Sequence, residues 1–191
     1  MASESNMAIC QAVVDAFKVR PKIMSYKDDN NKSETYIATS FNCPTPGINS
    51  YSTLELSDYP LMKDGVEHSV RLEILFACAN DIDYWGNVIA TAAFFIINDK
   101  WFCGPGVVYQ DMVKIYDPKA KLQHLYFTTP FLWGDKPQTM YLPDKTVAFL
   151  QAILISESER LYLAEHGPDA FETLLQSEDA DIANYEREPV V

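Results

Sequence analysis

Between Val70 and Ala79 the chain reads VRLEILFACA, with Val70, Leu72, Ile74 and Phe76 alternating with Arg71 and Glu73. That is the period of a strand with one buried face, turning into a strand buried on both faces towards Ala79. KIMSY and ETYIATSF are further strand-like runs, and the polar loop KDDNNKS between them suits a hairpin connection. HLYFTTPFLW reads as a strand running into an aromatic corner at 130–133. TVAFLQAILI is apolar apart from Thr146 and Gln151, as expected of a central strand covered on both faces, although a buried helix would read similarly.

Helical spacing appears in three places. Ile9, Cys10, Val13, Val14 and Phe17 make the first segment an amphipathic helix that ends by Pro21. Trp85, Val88, Ile89, Ala92 and Ile96 define a second helix, with Asn80, Asp81 and Asp83 as its capping cluster and an end near Asn98. Its second half, AAFFII, is apolar all round and is expected to be deeply buried. Ser156 and Glu159 form an S-x-x-E capping box, Gly167 suits a helix C-terminus, and Pro168 can open the helix that follows, with core contacts at Phe171, Leu174 and Leu175. The order helix, strands, helix, strands, helices lacks regular βα alternation, so the expected class is α+β: a mixed or mainly antiparallel sheet flanked by helices. With 191 residues, 48% of them apolar, the chain can bury its core as a single domain spanning 1–191.

Charge narrows the choice of partner. The formal net charge is −12, and an acidic surface of that size repels phosphate backbones, which argues against nucleic acid. The excess is uneven: residues 151–191 hold ten acids against Arg160 and Arg187, so the C-terminal end is the acidic pole. The four cysteines, Cys10, Cys43, Cys78 and Cys103, show no C-x-x-C pair and no metal-finger spacing, and are expected to be reduced packing residues. No long apolar stretch marks a secretion signal, and the longest largely apolar run, 88–97, is far short of a bilayer span. These features predict a soluble, cytoplasmic protein without a membrane partner.

Catalytic constellations are thin. Ser52 and Ser57 lie in SYSTLELSDYP, which has no glycine to form a sharp nucleophile turn. The plain reading of that stretch is a strand with Tyr51, Thr53 and Glu55 outward and Ser52, Leu54 and Leu56 inward, followed by a turn in which Asp58 accepts hydrogen bonds from neighbouring backbone N–H groups. A thiol enzyme built on Cys103 and His124 is the alternative chemistry, since CGPG at 103–106 could expose the sulfur. Glu73, Asp81 and Asp83 could gather round a divalent cation, but helix capping explains the aspartates without one. No phosphate-binding glycine motif occurs, and no cofactor is expected. What remains is a set of aromatics beside turns. Tyr51, Tyr59, Trp101, Phe131 and Trp133, with Asp58, are the candidate residues for binding a protein partner.

YSTLELSDYPL, RLEILFACA, AFFIINDKWFCGPGVV, YFTTPFLW and ILISESERLYL follow one another in this order. Together they resemble the bacterial branch of the suppressor-of-fused (SUFU) family, over about 42–175, with 176–191 an acidic end beyond the match. Glycine is usual in that family where Glu55 stands, and proline where Leu154 stands. The resemblance implies a compact α+β domain without an established active site. Animal members are longer, with a second domain, and clasp a peptide of a transcription factor, holding it in the cytoplasm. Bacterial members are thought to include immunity proteins that neutralise polymorphic toxins by binding them. The resemblance therefore implies a non-enzymatic protein-binding domain, with a basic toxin as the partner that an acidic surface would suit. A regulator that takes a peptide by adding a strand to its sheet edge is a further alternative.

Overall fold

A computed structural model describes residues 3–79 and 82–191. In chain order the elements are α1 (Glu4–Phe17), β1 (Lys22–Lys27), β2 (Glu34–Ser40), β3 (Ile48–Leu54), β4 (Met62–Lys63), β5 (Val66–Glu67), β6 (Val70–Ala79), α2 (Trp85–Ile97), β7 (Val108–Tyr109), β8 (His124–Thr128), β9 (Met140–Tyr141), β10 (Thr146–Ile155), α3 (Glu157–His166) and α4 (Pro168–Ser177). One sheet runs β1-β2-β3-β6-β10-β8-β7, with β9 also pairing β10, while β4 and β5 form a separate hairpin. Among the described residues the β6–β10 pair alone is parallel; the other pairs are antiparallel. The class is α+β with a mixed sheet.

Side-chain alternation along β6 and β10 sorts the helices to the two faces. Leu72, Ile74 and Phe76 of β6 and Leu150, Ala152 and Leu154 of β10 share a core with α2. Leu75, Ala77, Val147 and Phe149 point the other way and pack with Ile9, Val13 and Phe17 of α1. Ile153 and Ile155 lie on that same face further along β10, beneath Leu163 of α3 and Phe171 and Leu175 of α4. Coverage on both sides is why TVAFLQAILI shows no alternation: it is the central strand, paired with β6, β8 and β9.

Local rules hold at several ends. Ser156 accepts from the Glu159 N–H, and the Glu159 carboxylate accepts from the Ser156 N–H, a complete capping box. Gly167 closes α3 with a φ of 85°, and Pro168 opens α4. The β1–β2 hairpin loop is held by Asp28, whose Oδ1 accepts from the N–H groups of Lys32 and Ser33 at 2.7 and 3.1 Å.

Four expectations need correction. Helix α1 stops before Pro21, because Lys18 turns into the left-handed region and its N–H bonds back to the Val14 carbonyl. Helix α2 starts at Trp85 with Tyr84 as an uncapped N-terminus, and Asp83 is exposed; Asn80 and Asp81 lie outside the described residues. Within AAFFII, Phe94 and Phe95 are half-buried, not deeply buried. Strand β3 has no outward face, since Tyr51 and Thr53 are buried along with Ser52 and Leu54. Its Tyr51 side lies under α2 and its Leu54 side under α1, so small hydroxyl residues that suggest exposure sit inside.

The C-terminal end is a strap. After α4 the chain crosses back so that the Ala79 N–H donates to the Ala183 carbonyl at 3.0 Å, Tyr185 packs on Trp85, and Arg187 enters the interior beside Glu159.

Candidate interaction surface

The SYSTLELSDYP stretch is tied down at two points. Glu73 is fully buried, taking the Thr53 hydroxyl at 2.6 Å and the Ser57 N–H at 3.0 Å. Burial pushes its carboxyl above the usual range, and the two donors only partly offset this. An outward-facing Glu73 is thereby corrected: it holds the strand–turn junction from inside. The turn at 55–59 forms and is backbone-bonded, but among the described residues the Asp58 carboxylate accepts no neighbouring backbone N–H. Its Oδ2 accepts from Asn6 Nδ2 at 2.8 Å and its Oδ1 from Lys145 Nζ, while Lys145 also donates to Asn6 Oδ1. Three distant segments thus meet at Asp58: the start of α1, the turn after β3 and the approach to β10.

The Cys103–His124 pair fails on chemistry. Cys103 is buried beside the Tyr109 hydroxyl, and burial raises its thiol far above the ordinary value, the opposite of an activated thiolate. His124 is buried too, accepting the Asp111 N–H at Nδ1 and bonding Glu157 through Nε2, both at 2.8 Å. Burial lowers its pKa despite the Glu157 hydrogen bond. The Arg160 guanidinium, followed by His124, holds Glu157 down at about 2. His124 is therefore engaged with Asp111 and Glu157, and among the described residues no hydrogen bond links it to Cys103.

The aromatic candidates divide by exposure. Tyr51 is buried against Phe76 with ring centroids 5.9 Å apart. Trp133 is buried against Phe17 and donates its indole N–H to Ser50 Oγ at 2.8 Å. Both are corrected from binding to packing roles, because the helices on either side of β3 cover them. Tyr59 is half-buried with its ring against the α2 core. Trp101 stays 42% exposed, stacked on Phe95 at 4.4 Å and edge-on to Tyr109 at 5.1 Å. Lys63 Nζ sits 4.7 Å over the ring of Phe102, the next residue in the chain.

Phe131 is 55% exposed and rigidly presented, for its N–H and that of Leu132 both donate to Oε1 of the buried Gln151, at 3.1 and 3.3 Å. It stands at a cleft of about 390 Å³ whose apolar wall is Phe131, Ile153, Leu175, Ala180 and Ile182. Two exposed acids, Glu172 and Asp179, line the same cleft. Glu172 was not legible as a site residue, because in the sequence it is one more acid on a polar helix face. Gln151 carried a signal, a lone amide in an apolar strand.

The profile of the Suppressor of fused protein (SUFU) family matches residues 33–188. The chain is 36% identical over 189 residues to the immunity protein YqcF of Bacillus subtilis, covering 99% of this chain and 98% of that protein. Among solved structures, a SUFU homologue of Neisseria gonorrhoeae superposes with a TM-score of 0.71 at 14% identity, over 97% of this chain and 96% of that one. A chain of a Sufu–Fu complex gives 0.68 at 13% identity, over 96% and 91%. Suppressor of Fused of Drosophila gives 0.67 at 15% identity, and there this chain spans 50% of the relative's length. With a family match over most of its residues, the chain belongs to the suppressor-of-fused family.

Proposed function

We propose that this protein is a non-enzymatic immunity protein that binds a basic toxin and occludes its active surface. The observation that carries the reading is the 36% identity to an immunity protein across nearly the full length of both chains. The electrostatics fit it. A net charge of −12, concentrated in residues 151–191, would accelerate encounter with a basic partner and discriminate against acidic ones. Four free cysteines, three of them buried, suit action in the reducing cytoplasm. The test is affinity capture of the basic partner from a lysate of the source cell, followed by co-expression with that partner. Rescue of growth, and a complex of defined stoichiometry that weakens with salt, is the expected result. Growth arrest undiminished by folded, abundant protein overturns the reading.

One feature favours a second mode of binding. Strand β1 is a sheet edge with Ile23 and Met24 both exposed, so an extended peptide could pair with it. Lys22 and Lys27 flank those residues, as charges that guard edges commonly do. Protection of β1 amides from hydrogen exchange on partner binding would identify strand addition.

A further inference from the structure

We propose that the cleft between α4, the end of β8 and the 178–182 turn is the socket for the partner, taking an apolar side chain flanked by lysine or arginine. The proposal deepens the immunity reading and rests on it for the identity of the partner. Three observations converge on this place.

First, the cleft is apolar inside and open outside. Ile153 and Leu175 form its floor above the core of α3, α4 and β10, and Phe131 stands at its mouth. An exposed aromatic over an apolar recess is the usual form of an anchor site at an interface.

Second, its acid is pre-positioned. The Tyr126 and Thr128 hydroxyls both donate to Glu172 Oε1, each at 2.6 Å. Among the described residues no donor holds Oε2. One oxygen therefore fixes the carboxylate while the other remains for an incoming cation, and a charge-assisted hydrogen bond from an arginine or lysine would complete it at little ordering cost.

Third, the two charged residues that line the cleft, Glu172 and Asp179, are both acids. Glu178 and Asp181 lie beside Asp179 in the sequence, within the acidic pole. Phe102, next to Trp101 in the chain, by contrast carries Lys63 over its ring. Complementarity therefore selects a basic partner at the Phe131 cleft in preference to the other exposed aromatic patch.

The first arm of the test needs no toxin. Backbone and methyl NMR spectra of the full chain are recorded with three blocked peptides: leucine between two arginines, leucine between two glutamates, and serine between two arginines. The arginine-flanked leucine peptide is expected to shift resonances of Phe131, Ile153, Leu175 and Ile182, and the two controls are not. Glu172→Gln, whose amide oxygen can still accept from Tyr126 and Thr128, should weaken that binding about fivefold. Absence of shifts at the cleft, or an equal response to the glutamate-flanked peptide, overturns the proposal. Rescue of growth read in parallel separates the two readings. Full rescue by a folded Glu172→Gln, Phe131→Ser variant overturns the cleft and leaves immunity standing, whereas failed rescue by the unmodified chain overturns immunity and leaves the peptide map to decide the cleft.

Discussion

The guanidinium of Arg187 and the carboxylate of Glu159 face one another inside the protein, Nη1 2.6 Å from Oε1 and Nη2 3.2 Å from Oε2. Both side chains are buried, and each makes further bonds, although Arg187 Nε has no partner among the described residues. Glu159 accepts the N–H groups of Ser156 and Val190, and Arg187 Nη2 donates to the Leu154 carbonyl at 3.1 Å. The acidic C-terminal end, which reads as a solvated tail, is thereby pinned to the start of α3 and to the central strand.

Removing one partner leaves an uncompensated buried charge. Arg187→Ala is expected to cost about 3–5 kcal/mol, seen as a lower midpoint in guanidinium denaturation. Replacing both residues with methionine should cost less than Arg187→Ala alone. Equal losses would show that the strap is held by packing of Tyr185 on Trp85 and not by the ion pair.

Glu55 occupies a left-handed conformation, with φ 69° and ψ 3°. A side chain with a Cβ is strained there, and the entropy that glycine adds to the unfolded chain offsets only part of the relief. Glu55→Gly should therefore raise stability by about 0.5–1 kcal/mol. A lowered denaturation midpoint would contradict this.

Asp58 has moved from a local to a long-range role. Its bonds to Asn6 and Lys145 join α1 to the sheet, but its side chain is 42% exposed, so solvent screening reduces what they contribute. Asp58→Ala should cost about 1 kcal/mol, with hydrogen-exchange protection lost first in the opening turn of α1. Loss confined to the 55–59 turn would restore the local account.

Glu73 sets a pH dependence with a definite sign. Its folded-state pKa is raised above the ordinary 4.5 by burial, so the folded protein binds this proton more tightly than the unfolded chain does. The stability it contributes is complete below about pH 4.5 and is lost as pH rises through the folded-state value. Urea midpoints for the unmodified chain and Glu73→Gln should therefore diverge with rising pH, to the advantage of the variant. Parallel curves would mean that Thr53 and Ser57 fully compensate the buried charge.

Thiol reactivity should follow burial. Cys10 is partly exposed while Cys43, Cys78 and Cys103 are buried, so iodoacetamide should alkylate Cys10 first in the native protein and Cys103 only on unfolding. Rapid labelling of Cys103, mapped by mass spectrometry, would reopen the thiol-enzyme reading.

The sequence by itself determined the elements whose cause is local. Alternation marked β6, an unbroken apolar run marked β10, and the Ser156–Glu159 box with Gly167 and Pro168 marked both ends of α3, because periodicity and capping act within a few residues. The class of fold followed from their order. Tertiary structure decided which polar residues lie inside. Thr53 and Glu73 read as outward positions until helices close over both faces of the sheet, and then each is kept by bonds to segments 16 to 21 residues away in sequence. It also decided which aromatics face solvent. Tyr51 and Trp133 are covered by helices, whereas Phe131 is held outward by Gln151 over a cleft assembled from β8, β10, α4 and the strap. Burial of that kind is a property of assembled layers, and no window of neighbouring residues carries it.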